Sequence, residues 1–375
     1  MNPKIVVAGH VCVDLTPVIP HQAVEKIDQI LIPGKLINTD GLSVSAGGVV
    51  SNTGLALKKL GGNAELMGKI GEDFLGDLLL DIFRRYGCEQ GMIRSRDSAT
   101  SYTLVLAIPG LDRIFLHDPA SNDSFCYDDL NFAHIQDATV FHFGYPPLMK
   151  RIYRNNGEEL VRIFKKVKEY GVATSLDMAA IDPNSDAAKE DWQKLIREVI
   201  PYVDFFLPSM EELCSMINPP LFTEWTRRAK GKDLTEVISP KEVEPLADQL
   251  LSWGAKAVLI KCGAPGILLK TGSVSQIRQI GGNLITDPDE WANLSYFEMS
   301  YKPEKILSGT GAGDTCNAAF LLSVCRGYPW RRCLQLAAGT GASCVEGYDS
   351  LSGLRSFEEL EKKIDNGWQK VEWIH

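Results

Sequence analysis

Apolar positions in this chain fall into two alternating rhythms. Short β-branched runs such as residues 5–8, closed by Gly9, read as strands buried on both faces. Between them lie longer stretches with helical spacing. Residues 49–60 place Asn52, Leu55, Ala56 and Lys59 at helical intervals, between Gly47-Gly48 and Gly61-Gly62. Residues 64–67 read as a strand. Residues 73–86 read as an amphipathic helix with Phe74, Leu78, Ile82 and Phe83 on one side. The alternation resumes with strands at 139–143, 172–177, 203–207, 257–261 and 266–270. Helices are expected at 158–170, 192–199, 211–216, 245–253, 315–326 and 331–345. Strands alternating with helices predict an α/β fold: a central, mostly parallel sheet flanked by helices.

Four stretches break the rhythm. Residues 16–45 are mixed and polar, with an apolar patch at 30–32. Residues 102–108 and 114–117 flank the turn dipeptide Pro109-Gly110 and read as a hairpin. Together these predict a small β-sheet lid, 16–45 plus 98–118, on a core made of 1–15, 46–97 and 119–375. Residues 218–240, with a basic stretch at 227–232, read as an irregular insertion. Residues 281–305 read as a second long excursion.

The net charge of −9, without a block of Lys or Arg, argues against a nucleic-acid partner. The nine cysteines contain no C-x-x-C pair and are odd in number, which fits free thiols in a reducing cytoplasm. No stretch reaches the roughly 18–20 apolar residues of a membrane span, and the N-terminal apolar run is too short for a signal peptide. The six histidines, 10, 21, 117, 134, 142 and 375, show no ligand spacing along the chain.

The most informative stretch runs from Ser308 to Phe320, SGTGAGDTCNAAF. Alternating glycines lead into Asp314, and the following helix is apolar on nearly every side. A buried helix start leaves N–H groups unpaired and carries partial positive charge. An aspartate there commonly serves as a cap. A cap needs no run of glycines, however, and Gly311, Ala312 and Gly313 would let an anion approach those amides closely. The P-loop pattern and the protein-kinase signatures are absent, and Asp314 stands where a dinucleotide fingerprint wants its third glycine. A carboxylate beside an anion hole suits phosphoryl transfer to a hydroxyl.

On these residues the chain resembles the ribokinase-like (PfkB-type) family of carbohydrate and nucleoside kinases. Gly311-Ala-Gly-Asp314 matches its C-terminal signature. Gly47-Gly48 with Asn52, then Leu60-Gly61, matches its first signature, and Lys69-Ile-Gly-Glu-Asp-Phe-Leu-Gly76 its G-x-D-x-x-G segment. Gly110-Leu-Asp-Arg113 resembles the lid hairpin. The resemblance implies a β lid over a sugar, ATP and Mg²⁺ as cofactors, and residue roles. Asp314 resembles the catalytic base, with Gly311, Ala312 and Gly313 as the anion hole. Asp14, Gly47, Gly48 and Asn52 resemble the sugar contacts. Ser209, Lys261, Gly263 and Gly266 resemble the nucleotide side, and Glu212 the acid that organises Mg²⁺ through water.

The chain also departs from the family pattern. Ser209 replaces the Asn of N-x-x-E. Ser308-Gly309-Thr310 replaces an Asp-Thr-Thr, which leaves the monovalent-cation site open. Lys261 stands where a Thr is common and either reaches a phosphate or faces solvent. Val49 stands where phosphosugar-binding relatives often place a lysine. The expectation is a cytoplasmic, ATP-dependent kinase of a small unphosphorylated sugar of the fructose, ribose or sugar-acid class, able to dimerise through its lid. A nucleoside kinase, with Tyr102 and Phe115 as a base shelf, and a non-catalytic metabolite-binding relative are the rivals.

Overall fold

The computed structural model describes residues 3–20, 23–111 and 113–372. Asp112 of the expected lid hairpin, His21, His375 and the outermost ends of the expected core lie outside the described residues. Among the described residues thirteen strands run in chain order: β1 Lys4–Gly9, β2 Cys12–Pro17, β3 Leu42–Gly47, β4 Asn63–Gly71, β5 Met92–Ser95, β6 Tyr102–Leu106, β7 Ile114–Asp118, β8 Val140–Gly144, β9 Ala173–Asp177, β10 Phe205–Phe206, β11 Ala257–Lys261, β12 Gly266–Thr271 and β13 Ser295–Met299. Nine form one sheet in the order β13-β12-β11-β10-β9-β8-β1-β4-β5. Seven neighbouring strands of it, from β11 to β5, pair in parallel, and β12 and β13 add an antiparallel edge.

β1 shows why a continuous apolar run was needed. Ile5 and Val7 enter the core on one face, with helices Gly48–Lys59, Ala312–Cys325 and Trp330–Cys344. Val6 and Ala8 enter the core on the other face, with Leu160, Ile163, Leu195 and Leu246. Period-two alternation thus fills two apolar layers at once. The remaining strands make a smaller sheet, β3-β2-β6-β7. Its first strand begins at Cys12, and β3 runs through Gly47 into the helix that starts at Gly48.

Several expectations need correction. Residues 218–240 are not irregular: helix Pro219–Ala229 fills half of them. Asn218 caps it by accepting from Leu221 N–H, prolines occupy its first turn where no N–H is required, and Trp225 and Ala229 bury one face. Residues 281–305 hold β13, which extends the sheet beside β12. In helix Phe74–Arg84 the buried side is Gly76, Leu79 and Phe83. Phe74 is exposed, because Asp73 caps the helix and Phe74 follows as the first residue of the first turn. Helix Lys150–Glu169 starts eight residues before the expected 158, with a break in its dihedrals at Arg154–Gly157. β5 and helix Phe357–Asp365 were not anticipated.

Candidate active site

The parallel strands bring their C-terminal ends to one edge of the sheet, where α/β folds leave a crevice. Helix Ala312–Cys325 begins there. Its N-cap, Gly311, has φ +75°, and a Cβ on it would lie 2.3 Å from Ser350 Cβ, so only glycine serves. The helix is buried from Asp314 through Val324. Among the amides at its mouth, that of Ala312 donates to Gly309 O at 3.3 Å, a long turn bond.

Asp314 is 5% exposed. Tyr145 OH donates to its Oδ2 at 2.7 Å, Asn52 Nδ2 to the same oxygen at 3.1 Å, and Thr53 Oγ1 to Oδ1 at 3.2 Å. Burial pushes its carboxyl above the usual range, while the Lys261 charge and these three donors oppose the rise. The carboxylate faces a cavity of about 670 Å³. Asp14, Gly48, Asn52 and Gly311 line the same cavity, so the sequence signatures separated by some 260 residues meet there. Asp14 sits on the small sheet, with Cys12 Sγ donating to its Oδ1 at 3.4 Å. Burial pushes Asp14 up to about 6, against the hydrogen bonds of Cys12 and Thr103. Gly47 stands directly behind it: a Cβ there would lie 2.3 Å from Asp14 Oδ2.

Lys261, Ser209, Glu212, Gly263 and Gly266 do not line that cavity. Lys261, at the end of β11, is 12% exposed, which settles that it does not face solvent. Its Nζ bonds Asp177 Oδ1 at 2.8 Å, and Asn317 Nδ2 donates to Asp177 Oδ2 at 2.8 Å. Its stem lies over the helix mouth, since a Cβ on Gly313 would meet Lys261 Cδ and Cε at 3.4 Å. Burial raises Asp177 to about 7; Lys261 counters this, while Glu212 and Asp314 add to it. Burial also pulls the Lys261 ammonium down, but the surrounding carboxylates outweigh it and hold it above the usual lysine value. Ser209 bridges to Lys261 and caps helix Met210–Ile217. Its Oγ accepts from Glu212 N–H at 3.3 Å, and Glu212 Oε2 accepts from Ser209 N–H at 2.9 Å. One oxygen of Glu212 is therefore engaged in a capping box. Gly263 has φ +65° and Gly266 φ +144°. A Cβ on Gly266 would strike Glu298 O at 2.1 Å, so close approach of β13 explains that glycine.

Sequence reading passed over Tyr145, Asp177, His10, Cys12 and His117. Asp177 could have been found, because an acid closing a buried strand lies at the crevice by construction. Tyr145 follows β8 with φ 66°, and nothing local marks its role. His10 and His117 are 107 residues apart, yet their Nε2 atoms lie 3.2 Å from each other. Chain spacing cannot show a pair assembled from different strands.

Comparison with known proteins accords with this architecture. An uncharacterized sugar kinase from Archaeoglobus fulgidus is 23% identical over 305 residues, 80% of this chain and 98% of that protein. A fructokinase with bound ATP from Xylella fastidiosa superposes with a TM-score of 0.70 at 18% identity, covering 98% of this chain and 99% of that one. An Escherichia coli structure in complex with ATP and Mg²⁺ gives 0.69 at 20% identity, covering 97% and 99%. The fold is ribokinase-like, a large mostly parallel sheet with flanking helices and a smaller second sheet. The model of the pfkB family carbohydrate kinases matches residues 2–355, and the chain belongs to that family as a sugar kinase.

Proposed function

We propose that this kinase moves the γ-phosphate of ATP to a hydroxyl of a small unphosphorylated sugar of the fructose, ribose or sugar-acid class. The observation that carries this reading is the placement of Asp314: buried, held by three donors, and open to the cavity at the first turn of an apolar helix. Asp314 accepts the proton of the attacking hydroxyl. The sugar oxygen bonds to the γ-phosphorus as the bridging β–γ bond breaks, and ADP leaves. The 311–313 amides take up the charge on the transferring group; the long Ala312 bond is weak enough for a phosphate to replace. Lys261, reaching over Gly313, adds a positive charge.

Asp14, Gly48 and Asn52 hold the sugar, and Gly47 gives Asp14 room. Ser209, Gly263 and Gly266 shape the nucleotide side. Three carboxylates, those of Asp177, Glu212 and Asp314, act on the single buried ammonium of Lys261, a surplus of negative charge that suits a divalent cation. Glu212 would hold Mg²⁺ through water, and the ion would neutralise phosphate charge. The lid, read as 16–45 and 98–118, excludes water that would otherwise consume ATP. The outer strands of the small sheet expose Leu42 and Val44 on the β3 edge and Leu116 on the β7 edge, strand edges open to pairing with a second copy of the chain. Among the described residues no helix is long and apolar enough to cross a membrane, and all nine cysteines are free, which suits a reducing compartment. Of the proposed base shelf only Phe115 borders the cavity, which leaves a nucleoside the weaker acceptor.

ADP release measured with fructose, ribose, a sugar acid, fructose 6-phosphate and adenosine tests this. An unphosphorylated sugar should give the highest kcat/KM, and Asp314→Asn should abolish the sugar-dependent release. Equal rates in wild type and variant with every acceptor overturn the assignment of the base.

A further inference from the structure

The cavity that Asp314 lines carries a second chemistry. His10 follows β1, Cys12 opens β2 and His117 lies on lid strand β7. One ring nitrogen of each histidine and the Cys12 sulfur all lie within 4.8 Å of one another. His10 and Cys12 are each 2% exposed, and all three residues line the cavity. We propose that His10 Nε2, Cys12 Sγ and His117 Nε2 form a binding site for a Zn²⁺-class ion, and that an ion held there clamps the lid to the core and shuts the sugar out.

Geometry and donor type both favour this. Two imidazole nitrogens bound to one tetrahedral Zn²⁺ sit ~3.3 Å apart, given Zn–N bonds of about 2.0–2.1 Å. Here the Nε2 atoms are already 3.2 Å apart. Two imidazoles and a thiol are a borderline-soft set that selects zinc over magnesium. His117 has the outer support that metal-bound histidines use: its Nδ1 lies 3.0 Å from Thr103 Oγ1, which fixes the ring. His10 Nδ1 is buried and has no hydrogen-bond partner, so the ring is held by packing and by its Nε2 contact alone. Burial lowers both histidines well below or below their usual value, keeping the neutral form that a metal requires. The Cys12 thiol is raised by burial and by Asp14, and on coordination it gives its proton to solvent. The open cavity leaves a fourth position for water.

The binding half of this inference stands without the kinase reading; exclusion of the sugar rests on it. The test uses the full chain, stripped of metal and titrated with Co²⁺ as a spectroscopic probe and with Zn²⁺ alone, in the absence of ATP. One equivalent of Co²⁺ should give a thiolate charge-transfer band, displaced by Zn²⁺. Cys12→Ser should remove the band, and His117→Gln should weaken Zn²⁺ binding at least about tenfold. Thermal melts establish that each variant folds; should Cys12→Ser fail to fold, His117→Gln decides. Absence of a stoichiometric band, or a band of unchanged strength and affinity in these variants, overturns the site. In the kinase assay Zn²⁺ should raise the KM for sugar with kcat unchanged at saturation, and a fall in kcat alone overturns the exclusion while leaving the site standing.

Discussion

The phenol oxygen of Tyr145 lies 2.7 Å from Asp314 Oδ2, and the two residues come from elements 169 positions apart. That bond favours the ionised carboxylate in a site where burial favours the acid. Tyr145→Phe should therefore raise the Asp314 pKa further. The acid limb of the kcat/KM profile should move to higher pH, with the alkaline plateau falling by less than about tenfold, the loss of one hydrogen bond. A pH profile of the purified variant checks this. An unmoved limb would mean that Tyr145 only fills space.

Asp314→Asn should behave differently. No pH restores the proposed base once it is absent, so kcat should fall by about 10²–10⁴ across the whole profile. The KM for sugar should change little, because Asn keeps the size of the side chain and an acceptor oxygen. Steady-state kinetics with the best sugar of the panel, together with a melting curve, separate lost chemistry from lost fold.

The Lys261–Asp177 ion pair carries a stability prediction. Lys261→Met leaves a buried carboxylate without its cation, which typically costs about 3–5 kcal/mol. Asp177 can escape part of that cost by protonating, since it already lies at about 7. A raised acid contributes stability below its unfolded value and loses it as pH climbs through the folded one. The variant should thus be close to wild type in stability at pH 5 and progressively weaker towards pH 9. Lys261→Met with Asp177→Asn should regain most of the loss at high pH, while kinase activity stays low. Urea unfolding at several pH values measures it; a pH-independent loss would show that the pair is not the cause.

The contrast between motif and crevice explains what could be read beforehand. The central strands were legible because a run such as Val6 beside Val7 feeds two apolar layers and tolerates no polar interruption. Helix Pro219–Ala229 was missed because its charged turns, Arg227 and Arg228 among them, hid a start signal that was present in Asn218-Pro-Pro. β13 was missed because an edge strand with exposed Met299 and half-buried Tyr296 carries little alternation. Around the cavity, Gly311 and Asp314 were singled out by local glycine chemistry, which marks where an anion approaches, and Asp14 and Asn52 by the family resemblance; all four line it. Tyr145, Asp177 and His117 were not. Their neighbours are set by the order β10-β9-β8-β1 and by the order β3-β2-β6-β7 of the small sheet, which no single stretch encodes.

Two adjacent glycines give the sharpest separation of backbone from ligand effects. Gly48 has φ +81°, and a Cβ there would lie 2.6 Å from the carbonyl oxygen of His10, a backbone atom that cannot swing away. Gly48→Ala should cost at least about 1–2 kcal/mol from the left-handed conformation alone, and more from the clash. Gly47 has an ordinary φ of −122°. The three nearest atoms to a Cβ there all belong to the Asp14 carboxylate, the free end of a side chain. Gly47→Ala should therefore leave the melting temperature nearly unchanged and turn Asp14 out of its position. Losing one charged hydrogen bond to the sugar is worth about 1.5–3 kcal/mol, so KM should rise about tenfold or more. The KM for ATP should hold, because Asp14 lines the cavity proposed for the sugar and Lys261 does not. If Gly47→Ala melts early, or weakens ATP and sugar alike, then Asp14 is a structural acid and the sugar is held elsewhere.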